Sequence, residues 1–202
     1  MNAVVLPQTN LEQELKAAKL YGAIGTTSLL VSTILAVIPY VGIFLTLTSY
    51  ILGLVLLLLA FKKLSDVYNR SEIFKNAMIW LVLDVVASLL AILGLVAIGV
   101  AFFEFIIRGR SLAFLTGFLS LLLSLAIFVV SAFFYYRAVS TVAEVSKNEL
   151  FKWSGICQLV GALTLILLIG FFLMFVAEIL LLIAFLELKS ENVQLVAQSQ
   201  PT

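Results

Sequence analysis

Between Leu20 and Phe61 the chain carries no charged side chain. As a single helix, at about 1.5 Å per residue, that run would be about twice as long as the ~30 Å hydrocarbon core of a bilayer. It must therefore fold back on itself, and Ile38-Pro39-Tyr40-Val41-Gly42 is where it can do so. Proline cannot donate an intrahelical hydrogen bond and a glycine follows closely, so the spacing predicts two helices, over about 21–38 and 41–64. The rest of the composition agrees. Sixty-three per cent of residues are hydrophobic, 11% are charged and the mean hydropathy is +1.22, against about 45–50% apolar residues in an ordinary soluble domain.

The same logic places four more helices. Polar residues return at Lys62 to Arg70, and a third helix is expected over 71–103 with one internal acid, Asp84. A short segment from Glu104 to Arg110 separates it from a fourth at 111–138, which is expected to continue through water toward Val145. From Phe151 to Leu188 the chain is again too long for one crossing and contains one charge, Glu178; Gly170 is the expected break, giving helices at 150–169 and 171–189. Ahead of these, 1–20 reads as an interfacial segment. Asn10-Leu11-Glu12-Gln13 forms a capping box, and Leu11, Leu15 and Ala18 recur at helical spacing. Met1 to Asn10 has no basic stretch of the kind that opens a cleaved signal, so the first membrane helix is expected to direct insertion. Residues 190–202 form a polar tail. The expected fold is all-α: a polytopic membrane protein of six transmembrane helices arranged as three tandem hairpins.

A short polar stretch occurs twice, Ser71-Glu72-Ile73-Phe74-Lys75 and Asn148-Glu149-Leu150-Phe151-Lys152, with its glutamates 77 positions apart. Each opens a helix at a membrane boundary, and Asn69 and Ser146 stand where a capping residue would. Orientation follows from the basic residues. Lys16, Lys19, Lys62, Lys63, Arg70, Lys75, Arg137, Lys147, Lys152 and Lys189 fall on the side of both termini, and only Arg108 and Arg110 on the other, which accounts for all 12. The positive-inside rule then predicts cytoplasmic termini in a cell membrane.

Small residues line several predicted helices: Gly42, Thr46, Ser49, Gly53 and Ala60; Ala113, Gly117, Ser120, Ser124 and Ser131; Ser154, Gly161 and Thr164. Lipid offers little hydrophobic drive for helix association, so such stripes are where backbones approach. They point to a compact bundle, to self-association or to packing on other membrane subunits. The expected role is a structural or accessory subunit of a membrane assembly or homo-oligomer, the alternative being a small proton- or cation-coupled transporter or channel. The aromatics Tyr21, Tyr40, Tyr135, Tyr136 and Trp153 lie near predicted helix ends, as an interfacial belt would.

Chemistry is confined to two residues. Asp84 and Glu178 lie well inside the apolar runs, nine residues beyond Lys75 and eleven before Lys189, so their depths differ by only a few Å at about 1.5 Å per residue. An acid at mid-membrane costs about 2.5–3.5 kcal/mol on insertion scales. Two roles fit: a proton-relay or cation-binding pair, sharing a proton if their helices are neighbours, or protonated acids each making one interhelical hydrogen bond. Cys157 is alone and there is no histidine, so neither an internal disulfide nor a soft-metal site is expected. The 12 basic and 11 acidic residues give no polyanion-binding signature, and nucleic acid is not an expected partner. With no nucleophile–histidine pair, no phosphate-cradling glycine loop and no cofactor motif, the reading is non-enzymatic.

The stretch Leu64-Ser65-Asp66-Val67-Tyr68-Asn69-Arg70-Ser71-Glu72-Ile73-Phe74-Lys75-Asn76-Ala77, and again Gly161-Ala162-Leu163 through Ile169-Gly170-Phe171 to Ala184-Phe185, resembles an uncharacterised, mainly archaeal family of multi-pass membrane proteins, a domain of unknown function. The similarity covers about residues 15–188, with Ile73-Phe74-Lys75-Asn76 its most specific part. It implies an integral membrane protein, with an archaeal source, and brings no active site.

Overall fold

The computed structural model describes residues 8–35, 42–108 and 112–188, and over these the chain is entirely helical. Helix α1 runs Gln8–Leu35, α2 Gly42–Val67, α3 Ser71–Arg108, α4 Ala113–Ser146, α5 Glu149–Leu163 and α6 Ile169–Leu186, with a short 3-10 turn, Leu165–Leu167, between the last two. Five of these helices are long and apolar enough to cross a membrane; the sixth, α5, is only 15 residues long.

The principal packing partners form a closed ring. Each helix packs on its neighbours in the chain, and α6 returns to α1. The closest pairs are α1 with α2, α3 with α4 and α5 with α6. Each pair is drawn together by two facing glycines, Gly25 and Gly53, Gly94 and Gly117, Gly161 and Gly170, where a Cβ on one would press on the backbone of the other. Of the glycines expected at helix contacts, Gly53, Gly117 and Gly161 are three of these six. Gly42 is the first residue of α2, and the Pro39 turn before it lies outside the described residues, as do Arg110 and Lys189. The serine stripe of α4 faces α3: Ser120, Ser124 and Ser131 donate to the carbonyls of Leu90, Ala87 and Trp80 at 2.8, 2.7 and 3.0 Å.

Several boundaries differ from those expected, each for a physical reason. No break separates an interfacial segment from the first crossing: α1 is continuous because Leu15 and Ala18 are buried in the core and Glu14 pairs with Lys63 of α2. α3 continues past 103 to Arg108, since a single Glu104 does not stop a helix that is apolar on both sides of it. α4 ends at Ser146, where Lys147 adopts φ 55°. Asn69, expected to cap α3, instead takes φ 51° in the turn after α2, a conformation asparagine tolerates. At the second polar stretch the cap is Asn148, whose side chain accepts from Leu150 N–H at 3.0 Å, and Ser146 is the last residue of α4.

The last turn falls at 164–168 instead of at Gly170. Leu168 takes the left-handed conformation there (φ 60°), and the strain of about 1–2 kcal/mol is held because Gly170 is committed to its contact with Gly161. The turn closes its own hydrogen bonds, Thr164 N–H to Val160 O and both Leu167 and Gly170 N–H to Thr164 O.

Buried side chains concentrate toward the end of the ring that carries the α2–α3 and α4–α5 turns. There Phe151, Phe185, Phe61, Trp80 and Tyr135 form a continuous chain of rings, with successive centroids 5.2, 6.2, 6.4 and 5.2 Å apart, within the range for favourable aromatic pairs. These rings come from five helices. The sixth, α1, contributes Gly22, which lies directly against the Phe185 ring.

A candidate site inside the helix ring

One step farther from the termini than the aromatic layer lies a cluster of polar side chains. Along α3, Asp84 is four residues beyond Trp80. Along α6, Glu178 is seven residues from Phe185, and along α2, Tyr50 is eleven from Phe61. At about 1.5 Å per residue these offsets put the cluster roughly 6–16 Å above the layer. Helical periodicity aims them inward, and each acid finds a hydroxyl on the neighbouring helix.

The Tyr50 hydroxyl donates to Asp84 Oδ2, joining α2 to α3. Ser88, one turn beyond Asp84, also reaches the Tyr50 hydroxyl. Thr33 donates to Glu178 Oε2 at 3.3 Å, joining α1 to α6. Tyr50 sits within electrostatic reach of Glu178 as well as of Asp84. Asp84 is buried and Glu178 is half-buried.

A second set of bonds steadies the α6 side. Ser154 of α5 donates to Ala177 O at 2.9 Å, and its oxygen lies 3.0 Å from the Tyr135 hydroxyl. Because serine has one proton to give, Tyr135 is the donor of that second bond. Ala177 immediately precedes Glu178, so α4 and α5 together fix the turn of α6 that presents the carboxylate. Every helix of the ring therefore contributes a polar group to the acids or to the turn that holds them.

The structure brings the two predicted acids to the interior of one ring without placing them in contact. α3 and α6 are not principal packing partners, and each acid has its own hydroxyl donor. Tyr50 and Thr33 are the residues that sequence reasoning missed. A tyrosine far from either end of an apolar helix was the available signal for the first; a threonine in such a run carries none. Tyr135, expected in an interfacial belt, is instead buried and bonded to Ser154 because its ring faces Trp80. Trp153 is 55% exposed at the start of α5. Among the described residues no group of three or more His, Cys, Asp or Glu side chains is disposed to hold a metal.

The model of a family described as protein of unknown function (DUF996) matches residues 49–179, a stretch that includes Tyr50, Asp84, Ser88, Tyr135, Ser154 and Glu178. An uncharacterised protein of Methanocaldococcus jannaschii is 32% identical over 189 residues, covering 90% of this chain and 99% of its own. No solved structure matches. The chain belongs to the DUF996 family of proteins of unknown function.

Proposed function

We propose that the chain is a small proton- or cation-coupled membrane transporter or channel, and that Asp84, Tyr50 and Glu178 form its binding site. In this reading the six helices thread the cell membrane as three tandem hairpins, with the lysine-rich ends and both termini in the cytoplasm. The observation that carries it is a contrast within the bundle. Five interhelical bonds inside the bundle are a serine hydroxyl on a backbone carbonyl: Ser32 on Thr46 O at 3.1 Å, the three α4 serines on α3, and Ser154 on Ala177 O. Such bonds hold helices at little cost, contributing about 0.6 kcal/mol on average. A carboxyl in the same place costs several times more, and what it adds beyond hydrogen bonding is the ability to gain or lose a charge. Two of them served by hydroxyl donors inside one ring support a group that exchanges a proton or holds a small cation. The reading is non-enzymatic.

Proteoliposomes with wild-type protein, Asp84→Asn and Glu178→Gln test it. Proton or monovalent-cation flux above empty vesicles is expected for the wild type and its loss for both variants. Equal flux in all three, or none in any, rejects the proposal.

The α3–α4 hairpin favours a second reading, an accessory or self-associating subunit. Its far end carries large exposed apolar side chains, with Phe103 68%, Ile107 78% and Leu112 85% exposed. Purification in mild detergent as a lone monomer, with no copurifying chain, counts against that reading.

A further inference from the structure

We infer that the acid cluster opens toward the face of the molecule opposite the termini, and that the aromatic layer is the barrier between it and water on the terminus side. The inference rests on the proton- or cation-site reading and adds to it a direction of access and the residues that gate it.

The barrier is complete in a way that nothing among the described residues beyond the acids is. Phe61, Phe151 and Phe185 are 0% exposed, and with Trp80, Tyr135 and Gly22 they bring all six helices into contact at one level. A cation passing this level must displace a ring from a fully packed neighbourhood. On the other side of the acids, burial among the described residues belongs to single hairpins. The Ser32 bond to Thr46 O joins α1 to α2, Gly94 and Gly117 pack α3 on α4, and Gly161 and Gly170 pack α5 on α6. No described side chain there closes the space between hairpins as the aromatic rings do below. The exposure of the acids follows this asymmetry, since Glu178, nearer the open end, is half-buried whereas Asp84, nearer Trp80, is buried.

The charged or titratable groups that the cluster faces are few. Tyr50 from α2 bonds Asp84 and lies within electrostatic reach of Glu178, as does Tyr135 from α4; α1 presents Thr33 and α5 presents Ser154, both neutral. Entry from the open face therefore meets hydroxyl groups before a carboxylate, which suits a hydronium ion or a small monovalent cation.

The test uses the full chain in sealed vesicles, with Cys157→Ser as background and Thr33→Cys or Ser88→Cys as reporter. A cleavable C-terminal tag identifies the terminus face. A membrane-impermeant methanethiosulfonate is expected to modify both reporters from the opposite face and at least ~10-fold more slowly from the terminus face, the protection expected if a terminus-open state is populated at ~10% or less. Adding Phe185→Ala is expected to raise terminus-face labelling, and Phe185→Leu, which keeps most of the packing, gives a smaller rise if the alanine variant does not fold. Equal labelling from the two faces, labelling from the terminus face alone, or no labelling from either overturns the inference, as does a Phe185→Leu variant that folds and labels like its parent. Absent flux with the labelling asymmetry intact sinks the transport reading and leaves the access path standing.

Discussion

The two ends of this bundle are built from the same apolar alphabet and are held together differently. Toward the termini, all six helices meet through large interlocked side chains, and the interior is continuous from Leu15 to Leu188. Toward the far end, the close contacts among the described residues lie within hairpins, through Gly94 with Gly117, Gly161 with Gly170 and serine-to-carbonyl bonds. Water does not drive helices together in lipid, so cohesion depends on how closely surfaces fit. Aromatic rings supply fit in three dimensions. Facing glycines supply it along one seam, which leaves the hairpins separable from one another.

Phe61→Ala tests this division most severely. It should cost about 3–5 kcal/mol, as for a buried aromatic truncated in a packed core. Phe103→Ala, at a side chain 68% exposed, should be close to neutral. Similar shifts in the thermal melting of the detergent-solubilised variants would erase the distinction between the two ends. A smaller effect is expected at the seam. At Gly117 a Cβ would lie 2.9 Å from Gly94 O, so Gly117→Leu should cost about 1–3 kcal/mol by overpacking. Gly99, in the same hairpin, has nothing within 4 Å and should accept alanine. If Gly99→Ala destabilises as much as Gly117→Leu, the far end has contacts beyond the α3–α4 seam.

The smallest effect concerns Tyr68, which is 2% exposed just past α2 with no hydrogen-bond partner for its hydroxyl. Burial pushes its phenol from 10.0 up to about 12. The folded state then holds the proton more tightly than the unfolded state, so this contribution to stability is intact below pH 10 and is lost as pH rises from about 10 to about 12. Tyr68→Phe should leave stability at neutral pH unchanged or slightly raised, and should remove that share of the alkaline loss. A fall in the neutral-pH melting temperature would show that the hydroxyl has a partner after all.

What the sequence disclosed divides along the same physical line. Charge-free runs, Pro39, the lysines and the two internal acids are one-dimensional signals, and they were sufficient to count helices and to single out Asp84 and Glu178. The small residues Gly53, Gly117 and Gly161 were equally visible, because a helix of leucines has little other reason to contain them. Their partners Gly25, Gly94 and Gly170 were not matched to them, since a contact between two glycines has no local signature. Thr33 joins the site only because the ring closes and α1 meets α6, and Tyr50 only because α2 packs on α3. Tyr135 was misread because sequence position near a helix end does not say which way a ring turns. The turn at 164–168 eluded the reading for a related reason: Gly170 resembles a breaker, yet serves as a contact.

The helices also differ greatly in reach. α4 and α5 start from a common turn, but α4 continues for 34 residues and α5 for 15, about 51 against 22 Å. The tip of the third hairpin is wholly apolar beyond Thr164, and Leu168 is 82% exposed. A lipid sheet of uniform thickness fits neither neighbour. In the threading proposed above, acyl chains would lean in beneath the stub and stretch or tilt beside the long arm, giving a step in bilayer height around the rim that membranes of different thickness would meet with different tilts.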